Sequence, residues 1–310
     1  MSEAASQNRR QWRPCPVCGT EGGEPLFEKG RLRIVTCGGC AMLFANPVEA
    51  QFVGGQFYNE RAAPYYLSPD KLDSDYAPVR FQRELKLFRR RCKRGAVLDV
   101  GCSTGAFLFQ LGQRYPSDYE RLGTDVVEPA LKHAEIRGVP VLRGSFLEHD
   151  FAGRHFDAVT FWAVLEHLNE PRRFVAKAAS LLRPGGRCFV LVPNMNSLAV
   201  RLLGKRYRYI TPEHLNYFTA ATLRRMIVRE PQLKLVDLRS THFNPAVIWQ
   251  DWRRKRDVVP DAERAELLKR TTSWKTNPVL APVRLAYQVA ERVLGRLRLA
   301  DNLVAILQRR

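Results

Sequence analysis

Between residues 96 and 193, short apolar runs alternate with stretches of helical spacing, and this alternation constrains the fold more than any other feature of the chain. AVLDV (96–100) reads as a strand and is followed by a helix near 105–113. YERLGTD (119–125) reads as a second strand with a helix near 128–137, and VPVLRG leads into a loop. FDAVTFW (156–162) is a strand, 170–182 a helix and RCFVLVP (187–193) another strand. Apolar strands alternating with helices predict βαβ units and a parallel sheet covered on both faces, an α/β fold. Upstream, Phe81, Leu85, Phe88 and Cys92 form one apolar stripe on an Arg-rich helix that begins near Pro78 and is ended by Gly95. Downstream come a helix after Thr219, the strand LKLVDLRS (233–240), a helical stretch to about 300, and the β-like DNLVAIL (301–307). A late strand returning after a long insertion suits an edge hairpin on the sheet.

With 310 residues there is room for about two domains. Hydrophobic residues at 45% and charged residues at 26% exclude disorder as the default. The formal charge of +19 favours anionic neighbours: nucleic acid, an acidic membrane surface, or a phosphorylated ligand. The N-terminal MSEAASQNRRQWRPC lacks the apolar centre of a secretory signal, and no apolar run approaches the ~20 residues of a membrane span. A cytoplasmic location, with access to the inner face of the membrane, is the expectation.

Strand 96–100 runs directly into Gly101-Cys102-Ser103-Thr104-Gly105 and a helix. Such a turn lets a ligand approach the backbone and meet helix N–H groups. Asp125 ends the next strand, where a carboxylate can hydrogen-bond ribose hydroxyls. Together they point to a nucleoside-containing cofactor at the carboxyl edge of the sheet. A helix-capping role for Asp125 is the alternative.

VLDVGCSTGAFL resembles the first motif of Class I S-adenosylmethionine-dependent methyltransferases, D-x-G-x-G-x-G, with Ser103 in place of the middle glycine. LGTDVVEPALKHA resembles the second motif of that family, and HFDAVTFWAVLEHLNEPRRFVAKAASLLRPGGRCFVLVPN resembles the stretch over its fourth and fifth strands. The resemblance covers roughly 78–240 and implies a Rossmann-like, seven-stranded methyltransferase sheet whose last strand, supplied by DNLVAIL, is antiparallel. It also implies roles. Asp99 and Gly101 would hold the methionine end of the cofactor and Asp125 its ribose, with Ser103 and Gly105 also in the cofactor-binding turn. Ser145 and Phe146 would lie beside the adenine, and Phe161 and Trp162 beside the reacting centre.

Methyl transfer from a sulfonium requires alignment of the acceptor and, for a hydroxyl, removal of its proton. LEH after the fourth strand, similar to the sequence in ubiquinone-pathway O-methyltransferases, makes His167, next to Glu166, a candidate catalytic base. Bracing the loop is its other reading. His214, in TPEHLNYFT, is the second catalytic candidate, with Tyr217 as a wall; a buried, hydrogen-bonded histidine is the alternative. PNMN (193–196) is not the NPPY-type signature of methylation at planar amino nitrogens.

Four of the seven cysteines form two C-x-x-C pairs, Cys15/Cys18 and Cys37/Cys40, eighteen residues apart. That spacing predicts a four-thiolate structural Zn2+ ribbon, with no position left open for catalysis. Cys92, Cys102 and Cys188 read as small core residues. Chains joining such a module to a methyltransferase domain include deoxysugar C-methyltransferases and polysaccharide-cluster enzymes, and a zinc module also occurs in ribosomal RNA guanine methyltransferases. The predicted organisation is a zinc ribbon at 10–46, a connecting segment at 47–77 that covers part of a pocket or packs as a surface linker, and a methyltransferase domain at 78–310 with a helical insertion at about 243–300.

Basic residues cluster in 83–94, 201–209, 252–257 and 284–298. In the last, Leu285, Val289, Val293 and Leu297 form a stripe that either meets an anionic membrane or packs on its own domain. The expected activity is O-methylation of a small-molecule acceptor, a sugar, polysaccharide or lipid-linked compound. The alternatives are an RNA methyltransferase and a non-catalytic cofactor- or zinc-binding interaction protein.

Overall fold

The structure is a computed structural model that describes residues 9–53, 57–253, 266 and 281–310. The part of the expected helical insertion between 254 and 280 thus lies, apart from residue 266, outside the described residues. The main sheet has seven strands in the order β12-β13-β10-β9-β6-β7-β8. These are β6 (Gly95–Val100), β7 (Tyr119–Asp125), β8 (Val141–Arg143), β9 (Phe156–Trp162), β10 (Leu182–Pro193), β12 (Leu233–Thr241) and β13 (Asn302–Arg309). Strands β6 to β10 are mutually parallel, and β13 runs antiparallel to both β10 and β12. The expected edge hairpin is the antiparallel β12–β13 pair, with β13 as its inner strand. β12 takes the edge, because DNLVAIL is apolar on both faces and is fully covered only between two neighbours. Leu303, Ala305 and Leu307 enter one core and Ile306 the other.

Alternation along the central strands divides the core in the same way. Ala96, Leu98 and Val100 of β6 face one layer, and Val97 faces the other. The first layer receives Val175, Ala178 and Ala179 of a helix at Pro171–Leu181, and Leu223, Met226 and Ile227 of another at Ala220–Val228. The second receives Leu85 and Phe88 of the Arg-rich helix (Gln82–Arg91) and Phe107, Leu108 and Leu111 of the helix after the glycine turn (Ala106–Arg114). At Ala220–Val228 the start is fixed by a capping box, Thr219 and Thr222 each accepting from the other's backbone N–H.

The cysteine module is a small antiparallel sheet of β2 (Glu24–Lys29), β3 (Leu32–Thr36) and β4 (Leu43–Ala45). A short β1 (Arg10–Gln11) pairs with β5 (Val48–Glu49) beside it. The fourth strand of the module's sheet comes from far along the chain: β11 (Asn216–Tyr217) pairs with β4. From 58 to 76 the chain is helical, in segments Tyr58–Ala62, Ala63–Tyr66 and Pro69–Tyr76.

A helix at Ala281–Arg296 lies against β12. Its inward face carries Glu291 and Gly295, and a Cβ on Gly295 would meet the Ser240 carbonyl oxygen at 2.9 Å. At about 100° per residue, Val289, Val293 and Leu297 fall on the opposite side. They are 50%, 51% and 62% exposed. The apolar stripe thus faces outward rather than onto its own domain, because the small and ion-paired residues are the ones that fit against the sheet. No described helix is long and apolar enough to cross a membrane.

Candidate active site

The turn after β6 has the backbone that its glycines allow. Gly101 and Gly105 sit at φ +72° and +74°, and Ser103 at φ +50°. The N–H groups of Gly101 and Cys102 donate to the Thr124 carbonyl at 2.8 and 3.1 Å, which ties the turn to the end of β7. Asp125 completes the tie: Oδ2 accepts from Ser103 N at 2.7 Å, and Oδ1 accepts from Val126 N and Val127 N at 2.7 and 3.0 Å. Its carboxylate therefore ties the glycine turn to the two residues that lead into the next helix (Glu128–Ile136), which has no side-chain cap bond of its own. Asp99, 2% exposed, accepts from the Thr160 hydroxyl at 2.5 Å, and burial pushes its carboxyl up to about 7. A cation placed beside it would favour the ionised form.

The structure brings Asp99, Gly101, Ser103, Gly105 and Asp125 together at the carboxyl ends of β6 and β7, where open α/β sheets bind ligands. Ser145 is half-buried at the start of a turn after β8, near by, since Gly144 N donates to the Asp125 carbonyl at 2.9 Å. Phe146 is 3% exposed, its ring 5.6–6.2 Å from those of Phe151, Phe161 and Phe174, and so belongs to the apolar core. Trp162 is half-buried against Phe107, ring centroids 5.1 Å apart, and its indole nitrogen is buried without a hydrogen-bond partner among the described residues.

A second cluster lies in the turn after β9. Leu165–His167 forms one turn of 3-10 helix, and His214 approaches from the segment before β11. The His167 and His214 rings meet edge to face with centroids 4.7 Å apart. His167 Nδ1 lies 2.8 Å from the Tyr58 hydroxyl and 3.0 Å from the Glu213 carbonyl oxygen. Glu166 is 1% exposed, one of its oxygens has no hydrogen-bond partner among the described residues, and burial pushes its carboxyl up to about 8. Burial also raises the Tyr58 hydroxyl well above its ordinary value. Tyr217 closes this side, its hydroxyl donating to the Thr211 carbonyl at 2.8 Å. Two imidazoles in contact, one of them hydrogen-bonded to a phenol and both within 4.8 Å of a carboxyl, can accept a proton and pass it on. Glu166, His167 and His214 also offer one ligand atom each within 4.8 Å, a set that could hold a divalent cation.

Cys15, Cys18, Cys37 and Cys40 converge, with all four sulfurs within 4.8 Å of one another. The Cys15–Cys40 and Cys18–Cys37 sulfurs are 3.5 and 3.4 Å apart. Such a set fits one tetrahedral ion bound by four thiolates.

Three side chains that sequence reasoning did not single out frame these clusters. Tyr58 reaches His167, as above. Asn59 donates to the Val126 carbonyl at 2.8 Å and accepts from Glu128 N at 2.9 Å, and the Tyr76 hydroxyl donates to the Thr104 carbonyl. All three come from the aromatic-rich connecting segment, and composition was the one signal that pointed to it.

A family model described as a methyltransferase domain matches residues 75–238, more than half of the 310-residue chain. The ubiquinone biosynthesis O-methyltransferase of Chromobacterium violaceum is 30% identical over 163 residues, covering 48% of this chain and 68% of that protein. The protein of the same name from Thiobacillus denitrificans is 32% identical, with the same coverage, 48% and 68%. Among solved structures, an S-adenosylmethionine-dependent methyltransferase from Thermotoga maritima aligns with a TM-score of 0.48 at 16% identity, over 82% of this chain and 96% of that one. With more than half its length matched by the methyltransferase-domain model and relatives of this identity beside it, the chain belongs to that family and is an S-adenosylmethionine-dependent methyltransferase acting on a small molecule.

Proposed function

We propose that this enzyme methylates a hydroxyl oxygen of a sugar, polysaccharide or lipid-linked acceptor, with His214 and His167 receiving the proton and Glu166 and Tyr58 supporting them. The observation that carries this reading is the cluster of Glu166 and His214, buried, with His167 and Tyr58, half-buried, around the turn after β9, whose Val164 lies against Gly101. An alcohol needs such a base before it can attack, whereas an amine that binds neutral does not. The O-methyltransferase names of the curated relatives agree with oxygen as the acceptor atom. The likeness of the cysteine module plus methyltransferase arrangement to sugar-modifying chains favours a carbohydrate.

Asp99, Gly101, Ser103 and Gly105 then hold the amino-acid end of the donor, Asp125 its ribose, and Ser145, Phe146 and Trp162 border the rest of it. Phe146 does so from within the core, as a support. Bound S-adenosylmethionine supplies an electrophilic methyl carbon. The chain's own residues orient the acceptor, exclude water and take the proton. Zn2+ on Cys15, Cys18, Cys37 and Cys40 belongs to the same proposal, as a structural ion.

The outward stripe at Val289, Val293 and Leu297, interleaved with Arg292, Arg296 and Arg298, supports peripheral contact with an anionic membrane at its cytoplasmic face, where a lipid-linked acceptor would lie. Methyl-labelled S-adenosylmethionine incubated with the enzyme and a fractionated cell extract should place label in sugar- or lipid-containing material as a methyl ether. Sedimentation with phosphatidylglycerol vesicles should be lost in Val293→Asp and absent with phosphatidylcholine. Label in RNA instead would replace this reading with nucleic-acid methylation, which the +19 charge also accommodates.

A further inference from the structure

The strand that follows His214 is shared between the catalytic domain and the cysteine module. In the antiparallel β11–β4 pair, Asn216 is opposite Phe44 and Tyr217 opposite Leu43, and Ala45 N donates to the Leu215 carbonyl at 2.9 Å. The segment carrying one catalytic candidate is therefore the fourth strand of the metal module's sheet.

Arg13, two residues before Cys15, closes this junction. It is 5% exposed, and its guanidinium lies over the Phe44 ring. Its Nη2 donates to the Leu215 carbonyl at 2.6 Å and to Asn216 Oδ1 at 2.9 Å, its Nη1 to the Asn169 carbonyl at 3.1 Å, and its Nε to the Ala45 carbonyl at 3.3 Å. Asn46 holds the Arg13 backbone from both sides, accepting from its N–H at 3.2 Å and donating to its carbonyl at 3.1 Å. The amide of Asn216 passes the contact on, donating to the carbonyls of Leu165 and Leu168 at 2.7 Å each, on either side of Glu166 and His167. Leu215 N donates to the Glu166 carbonyl at 2.7 Å. Arg225 adds a second tie, donating to the Cys40 carbonyl.

We infer that the cysteine module is a working part of the acceptor half of the active site, and that Arg13 is the positioning residue that sets His214 and the Glu166–His167 turn against each other. The inference rests on the reading of those residues as the proton-handling group. A planar fork with five donors suits this place, because it satisfies carbonyls from three separate segments at once. A lysine offers a single point of contact. The donor half, at Gly101 and Asp125, has no hydrogen bond to Arg13 and should not respond to it.

The test uses the zinc-loaded full chain with Arg13→Met, and Arg13→Lys should the first fail to accumulate folded. The six histidines give imidazole signals in a 15N-histidine-labelled sample that can be assigned by single substitution. Expected are shifts of the His214 and His167 signals, with His133, His149, His155 and His242 unchanged. Transfer of labelled methyl to the cell-extract acceptor should fall about 10- to 100-fold, while S-adenosylhomocysteine affinity and zinc content hold. A lower melting temperature with His214 and His167 signals and transfer rate as in wild type would overturn the inference and leave Arg13 a stabilising residue. A His214→Ala enzyme with wild-type transfer would defeat the acceptor-site reading itself, and the inference with it.

Discussion

Replacing His214 by alanine is expected to slow methyl transfer by about 10²- to 10⁴-fold, the range for loss of a positioned base. His214 is 7% exposed, edge-on to His167 and 6.3 Å from the stacked Tyr209 ring, so water that enters the vacated space cannot reproduce a fixed imidazole. Affinity for S-adenosylmethionine should stay near the wild-type value, because the residues proposed to hold the donor lie on the turns after β6 and β7. A split between turnover and donor binding is what separates a base from a brace. His214→Gln, which keeps much of the volume, should be as slow as His214→Ala. Tyr58→Phe should lose less, since it removes one partner of His167 Nδ1 and leaves the Glu213 carbonyl. Rates follow from labelled methyl incorporation and affinity from calorimetric titration. Wild-type turnover in both His214 variants would remove this residue from the chemistry.

Gly101→Val should abolish measurable donor binding, a loss of about 100-fold or more. At φ +72° a β-branched residue is strained, by roughly 1–2 kcal/mol for the left-handed conformation alone. Its Cβ would also sit 2.6 Å from Cγ2 and 3.1 Å from Cγ1 of Val164, so either the turn or the segment leading to Glu166 must move. The turn can move only by breaking the bonds from Gly101 N and Cys102 N to the Thr124 carbonyl and from Ser103 N to Asp125. These bonds set the backbone that the donor is proposed to meet. Gly105 is a gentler case, its Cβ 2.9 Å from the Cβ of Ala134. Titration of the folded variant with S-adenosylhomocysteine, together with its melting temperature, checks this. Near-wild-type affinity in Gly101→Val would mean that the donor does not use this turn.

The central strands were legible because the signal is local. YERLGTD and FDAVTFW, bounded by turn formers, became β7 and β9 at the stated limits. Which strand of the edge hairpin lies outermost was not legible. DNLVAIL announces a strand, but its two neighbours lie more than sixty and one hundred positions earlier in the chain, and nothing local distinguishes an edge from an interior place. The same limit hid Tyr58, whose partner His167 is 109 residues away, and Arg13, whose contacts at Leu215 and Asn216 are 202 and 203 residues away. Periodicity showed that the last helix carries an apolar stripe but not which side packs. Gly295 and Glu291 decided that by fitting beneath Ser240 and beside Arg83. Phe146 shows a further limit: its motif position suggested the adenine, while aromatic packing with Phe151, Phe161 and Phe174 gives it a core role that no short window displays.

The most direct test of the account is a calorimetric titration of zinc-loaded wild-type protein and its Asp125→Ala variant with S-adenosylhomocysteine. Wild type is expected to bind at one site per chain. In the variant, affinity should be weaker by about 10- to 100-fold, as one lost charged hydrogen-bonding group implies, with zinc content unchanged. No binding to the wild-type chain, or equal affinity in the two proteins, would contradict a donor held across the turns that end β6 and β7.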